Sequence, residues 1–427
     1  MATALMVSVA IGGTAAEKAT SDTAKQSKRS FASRLTLGGY GEACYTRNFY
    51  SDNVNRYSHA SDYQDAPGHG RFDLPHVVIN LGFDFGKGWS MNSEIEFEHG
   101  GVGSAVELEN EEVGEFESEV EHGGEVVLEQ FYIQKSFMPQ LNVRAGHQIV
   151  PVGYTNWHHL PTEFFTVYRP EGENQIMPCT WHATALEIWG RAGDWRYEAM
   201  VMPGLNSLYF SKDEWIKNGT TSPFEFDAAN KFAVAARVDN YSVAGLRIGV
   251  SGYYGHSFAN TLQSDKGKYS GVTGAVAIGA IDFSYNNYGV VARGSFDYGH
   301  LSDADEISQY NRNQSKTSPY KRTYVGKGAV NVMVEGGYDI FRLFRDRHLD
   351  GQRLYIFGHY EYYDAYLPTE SAPAYDWTNR HRMAVGLNWY PIKEIVVKAE
   401  FSERFLKSQY NDEPSVSIGV AYAGFFL

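Results

Sequence analysis

The sequence predicts an all-β protein, a transmembrane antiparallel β-barrel of about sixteen strands with long external loops and short periplasmic turns. Three observations lead there. Apolar and polar residues alternate with period two through segments of about ten residues, the length of a tilted membrane strand rather than the five or six usual in soluble sheets. The connections alternate between long and short, as in an even-stranded up-and-down barrel. No run of eighteen apolar residues occurs in the 427-residue chain, so no helix can cross a hydrocarbon core of roughly 30 Å. Strands can cross, because a closed barrel satisfies its backbone between strands and turns only alternate residues to lipid.

Residues 2–16 (ATALMVSVAIGGTAA) form a short apolar run ending in small residues, expected to be a signal peptide although no basic residue precedes it. The polar stretch 17–33 reads as a linker, and 34–427 as the barrel. The strand segments are 35–46, 75–85, 89–98, 126–137, 141–150, 181–191, 195–203 and 231–239, then 245–256, 271–284, 288–299, 328–340, 353–364, 380–390, 394–405 and 415–427. In 89–98, Trp89, Met91, Ile95 and Phe97 fall on one face and Asn92, Glu94 and Glu96 on the other. Tight turns such as Gly86-Lys87-Gly88 and Met138-Pro139-Gln140 alternate with long loops such as 99–125 and 151–180; 341–352 is one fairly long turn. Trp89, Phe137, Trp189, Trp195, Tyr362, Trp389 and Tyr390 near segment ends suggest aromatic girdles at the two interfaces.

The formal charge is −14, from 51 acidic against 37 basic residues, which argues against nucleic acid as a partner. The only cysteines, Cys44 and Cys179, provide neither a disulfide framework nor a CxxC zinc element, and whether they pair stays open. Charges deep inside strand segments are costly against lipid, so the polar faces are expected to line a water-filled channel. The expected pore-lining residues are Glu94, Glu96, Arg144, Arg191, Arg237, Arg293, Arg382, Lys398 and Glu400.

The stretch 126–154, VVLEQFYIQKSFMPQLNVRAGHQIVPVGY, resembles the phosphate-selective porin O and P family of outer-membrane channels. The matching features are a strand, a tight turn with Pro139, a second strand ending in R-A-G-H-Q, and Pro151-x-Gly153 opening a long aromatic loop. The resemblance implies a homotrimeric channel whose third loop, 151–180, folds into the lumen, with selectivity set by basic residues on the wall and at the constriction. The wall of this chain is of mixed charge instead. Its third loop sets the single Arg169 against Glu163, Glu171 and Glu173, so the resemblance is firmer for fold than for phosphate as solute.

The candidate constriction residues are Tyr154, Trp157, His158, His159, Glu163 and Arg169, which either line a narrow passage or pack the loop against the wall. His158-His159 with Glu163 lacks the one-turn helical spacing of a zinc protease, so no metal site is expected. No G-x-S-x-G element or comparable constellation points to catalysis, and no cofactor is expected. The segment between Val106 and Glu121, rich in Glu and free of Lys and Arg, reads as an acidic hairpin that repels anions at the mouth. The expected function is a passive diffusion channel for small hydrophilic solutes or ions in the outer membrane of a Gram-negative bacterium. Its partners are then outer-membrane lipid, lipopolysaccharide and the solutes. A surface adhesin or structural barrel working through its loops is the alternative.

Overall fold

A computed structural model describes residues 31–108, 116–222, 224–262, 267–316, 320–344, 349 and 351–427. The expected signal peptide and most of the expected linker lie outside the described residues. Nineteen strands are present among those described. They begin with β1 (Leu35–Asn48), β2 (Gly70–Asp73), β3 (His76–Gly86), β4 (Trp89–Glu98), β5 (Gly103–Leu108), β6 (Phe116–His122) and β7 (Glu125–Met138). Next come β8 (Leu141–Ile149), β9 (His182–Ala192), β10 (Trp195–Pro203), β11 (Phe232–Val243), β12 (Leu246–His256) and β13 (Ala275–Asn287). The last are β14 (Val290–Leu301), β15 (Gly328–Asp339), β16 (Arg353–Leu367), β17 (Asn379–Ile392), β18 (Ile395–Phe405) and β19 (Glu413–Phe425).

Sixteen of these close into one antiparallel barrel. Consecutive barrel strands pair in order, and β1 pairs with β19 from Gly38↔Phe425 to Asn48↔Ser415, which removes the free edges. The remaining three lie outside the ring: β2 pairs with β1 alone, and β5 with β6 forms a separate two-stranded sheet within the second loop. Each barrel strand corresponds to one segment expected from the alternation. The largest displacement at a start is in β13, expected from 271 and beginning at Ala275. Gly274 takes a left-handed φ of +57°, and the carbonyls of Thr273 and Gly274 accept hydrogen bonds from the amides of Phe258 and Ser257 in the preceding loop.

The alternation has the expected sense on the outside. Ile79, Ile133, Ile188, Val250, Val385 and Ile418 stand exposed around the barrel, a lipid-facing surface. Trp89, Phe137, Trp195, Tyr288 and Trp389 are exposed beside the short turns and form a girdle at that end. Trp189 and Tyr390, expected in the girdle, are instead buried inside. The Trp189 indole donates to Gln134 Oε1 at 3.0 Å and the Tyr390 hydroxyl to the Thr162 carbonyl at 3.2 Å.

The inside departs from a uniformly wet wall. Toward the long-loop end, β10 to β13 turn Met200, Met202, Ala233, Ala235, Val276 and Ile278 inward. Loops complete this core with Val150, Trp181, Phe210, Trp215, Phe258 and Ile307. An apolar inner wall is stable there because folded loops, not water, lie against it.

Candidate functional site

The third loop, 150–181, enters the barrel, and its backbone is held by wall side chains. Pro151-Val152-Gly153 begins the entry. Gly153 has φ +81°, and a Cβ there would come within 2.2 Å of Glu173 Oε1, so a larger residue would displace the carboxylate that organises the turn. That carboxylate accepts from the amides of Tyr154, Thr155 and Asn156 at 2.9, 3.0 and 2.9 Å. Gly153 is tied to the wall as well, its amide donating to Ser251 Oγ and its carbonyl accepting from Arg237.

Across the lumen, β15 to β18 anchor the middle of the loop. Glu335 accepts from the Phe165 amide at 3.2 Å, Glu400 from the Val167 amide at 2.9 Å, and Glu361 from the amides of Glu171 and Gly172. Lys398 Nζ donates to the carbonyls of Phe164 and Thr166 at 3.0 and 2.8 Å, and Asn388 donates to the Phe165 carbonyl. Loop backbone taken out of water needs such partners, and the wall supplies both signs of them. The short helix Glu171–Ile176 sits on this anchorage. Burial pushes the Glu171 carboxyl up, but the guanidiniums of Arg404 and Arg382 hold it well below the usual carboxylate range.

The inward charged residues, those expected from the sequence and their neighbours, divide by partner. Arg237 bonds Asp239 and Asp282, and Arg247 reaches the same two carboxylates at 2.8 and 2.6 Å. Arg196 pairs bidentately with Glu198 at 2.8 and 2.7 Å. Arg144 meets Glu187 at 3.5 Å, Arg293 meets Glu335 at 2.6 Å, and Arg382 lies against Glu171 and Glu400. Arg191 is half-buried at the short-turn end of β9, without an ion pair among the described residues. Lys398 and Glu400 hold loop backbone, a role the alternation alone does not signal.

Glu94 and Glu96 on β4 stand near Glu129 on β7, and Arg169 is the basic side chain that reaches them, 3.7 Å from Glu96 Oε1. Within the loop, Tyr154 is buried and stacks on His158 at 4.6 Å. His158 lies 3.6 Å from Glu163, and the Trp157 indole donates to Glu198 Oε1 at 3.1 Å. His159 is buried against Tyr40, and burial together with Arg169 holds its imidazole down at about 4. The aromatic residues of the loop thus have partners in the loop or the wall. Glu335, Glu361, Asn388 and Tyr390 are loop anchors that sequence reasoning did not assign. The signal of the first three, an inward polar position, is shared by every other wall residue, and Tyr390 reads in the sequence as a girdle aromatic.

The two cysteines are free thiols. Cys44 faces inward from β1 and Cys179 lies at the exit of the third loop. The wall groups expected to face open water are mostly buried: Glu94, Arg237, Arg382 and Lys398 are each 2 or 3% exposed. The charges of Arg237, Arg382 and Lys398 are taken up by wall carboxylates and by the loop backbone, because in a narrowed lumen an unpaired charge would lose its water without compensation.

No family model matches the chain. An uncharacterized protein of Aquifex aeolicus (strain VF5) is 24% identical over 388 residues, covering 89% of this chain and 77% of that protein. Among solved structures, the outer membrane channel DcaP of Acinetobacter baumannii superposes with a TM-score of 0.50 at 12% identity, covering 91% of this chain and 97% of that one. OmpF of Salmonella typhi, solved in complex with daunomycin, gives a TM-score of 0.51 at 11% identity with the same coverage. The likeness to both lies in the fold, which is that of the outer-membrane porins.

Proposed function

We propose that this protein is a porin, a passive diffusion channel for small hydrophilic solutes or ions in the outer membrane of a Gram-negative cell. The observation that carries the reading is the third loop threaded inside a closed sixteen-strand barrel and bonded to wall side chains of β12, β15, β16, β17 and β18. Such a loop sets the cross-section that a solute meets. Extensive burial of the wall charges supports a narrow path and a small conductance.

The finer reading, phosphate as preferred solute, rests on the resemblance of residues 126–154. Against it stands the pairing of the inward arginines. Of those expected to line the pore, all except Arg191 have a carboxylate within 3.5 Å, which cancels the field an anion ladder requires. The reading adopted is therefore a mixed-charge channel with weak or mildly cationic preference, working as the homotrimer that the resemblance of residues 126–154 implies.

Purified protein in a planar bilayer under a salt gradient tests this. Stepwise conductance with a reversal potential near zero or on the cation side is expected. Silence in the bilayer would remove the channel reading and favour a surface or structural role, and strong anion selectivity would favour phosphate.

A further inference from the structure

Glu94 on β4, Glu129 on β7 and His159 in the third loop are accounted for neither by loop anchoring nor by the arginine pairs. All three are buried, and one potential ligand atom from each lies within 4.8 Å of the other two. Glu129 is 1% exposed, yet its Oε2 has no hydrogen-bond partner among the described residues. Gln148, equally buried on the adjoining β8, carries a second orphan acceptor in Oε1. A buried acceptor without a donor costs about 1–3 kcal/mol, and more when it is charged. Three carboxylates (Glu94, Glu96, Glu129) face one guanidinium (Arg169), so as ionised groups they lack two positive charges.

The imidazole is oriented to supply one ligand. His159 Nδ1 lies 2.9 Å from the Asn156 carbonyl, which can only accept, so Nδ1 carries the proton and Nε2 keeps its lone pair. Metal-binding histidines are typically held in this way, the second ring nitrogen donating to a backbone carbonyl or carboxylate. Gln130 similarly steadies Glu94 by donating to its Oε2.

We propose that Glu94, Glu129 and His159 bind one divalent transition-metal cation of the zinc or manganese type, which ties the third loop to the β4–β7 wall. Two carboxylates with an imidazole suit these ions, whereas calcium and magnesium take oxygen ligands. Four-coordinate bonds of about 2.1 Å set ligand atoms roughly 3.4 Å apart, a contraction that rotation of the two glutamate side chains can supply. With Glu96 engaged by Arg169, three protein ligands leave a fourth position for water or a passing solute. The site is invisible in the sequence, since its members lie on three separate segments. It is also independent of conduction, because binding is read on protein that need not conduct.

The test is equilibrium dialysis of chelator-stripped protein, folded in detergent, against micromolar Zn2+, with bound metal counted by mass spectrometry. One Zn2+ per chain is expected. Glu129→Gln and His159→Gln should each weaken binding roughly tenfold or more. The control variant His76→Gln, which removes the imidazole of the neighbouring His76, Glu96 and Glu98 group, should bind as the wild type does. Absence of stoichiometric binding to the folded wild type would overturn the proposal, as would full binding by His159→Gln or loss confined to the control. If the ligand variants do not fold, the control variant loaded with Co2+ decides by X-ray absorption. A nitrogen ligand supports the site, and an all-oxygen shell overturns it.

Discussion

The walls at β10–β13 and at β4–β7 follow the same inward–outward alternation and end with different fields. On the first, Arg196, Arg237 and Arg247 meet Glu198, Asp239 and Asp282, three guanidiniums against three carboxylates in a connected lattice. On the second, Glu94, Glu96 and Glu129 share Arg169, which comes from the loop rather than the wall. Alternation decides which side chains enter the lumen. Cancellation between neighbouring strands decides which of them an ion can sense. The lattice should therefore act on stability, and the acidic wall on selectivity.

The largest effect expected is from Arg237→Met, which leaves Asp239 and Asp282 short of a partner. Removing one member of a buried ionic group costs about 3–5 kcal/mol, to be read from the urea midpoint of unfolding in detergent. Adding Asp282→Leu, which restores the charge balance and leaves Arg247 paired with Asp239, should recover much of the loss, since well-packed apolar replacements of a buried ion pair are often neutral. A drop as large for Glu129→Gln would erase the distinction between the walls.

Lys398→Met comes next. It orphans the Phe164 and Thr166 carbonyls, at about 1–3 kcal/mol for each buried acceptor left unsatisfied. The loosened loop should become cleavable by added protease and the conductance should rise. An unchanged conductance would show that the loop does not set the cross-section.

Glu94→Gln with Glu129→Gln, studied in chelator, should cost under about 1 kcal/mol because repulsion is relieved as hydrogen bonds weaken. Its signature is a reversal potential shifted toward anions. No shift would mean that the acidic wall lies off the ion path.

The smallest effect is expected at the Glu171 seat, whose ion pairs with Arg382 and Arg404 should hold between pH 7 and pH 4. Glu171 has a lowered carboxyl pKa, so its contribution to the loop seat is complete above the ordinary carboxylate value and is lost only as pH falls through its much lower folded value. Protection of the Glu171–Ile176 segment from protease should persist to pH 4, whereas the segment at His159, whose imidazole is neutral when buried, loses stability as pH falls toward 4. Release between pH 5 and pH 4 would contradict the ion pairs of Glu171 with Arg382 and Arg404.

The sixteen strands were legible because lipid and lumen are different solvents on the two sides of one strand, and the requirement is written residue by residue. Turns such as Gly86-Lys87-Gly88 were legible for a similar local reason, with Gly86 and Gly88 both at positive φ. Trp189 and Tyr390 misled because an aromatic near a strand end suits either an interface or a buried contact, and only strand parity against its neighbours separates the two.

The sequence by itself determined the barrel and its strand number, while the entry of the third loop at Pro151-x-Gly153 was implied only by the resemblance of residues 126–154. Tertiary structure alone decided which charges cancel. Arg237 and Asp282 are 45 residues apart, and Lys398 is more than 230 residues from the carbonyls it holds. Barrel closure and cross-strand register bring such groups together, and no local pattern records them. The same physics decided that Met200, Ala233 and Val276 face a dry core, since whether an inner wall meets water depends on where distant loops fold.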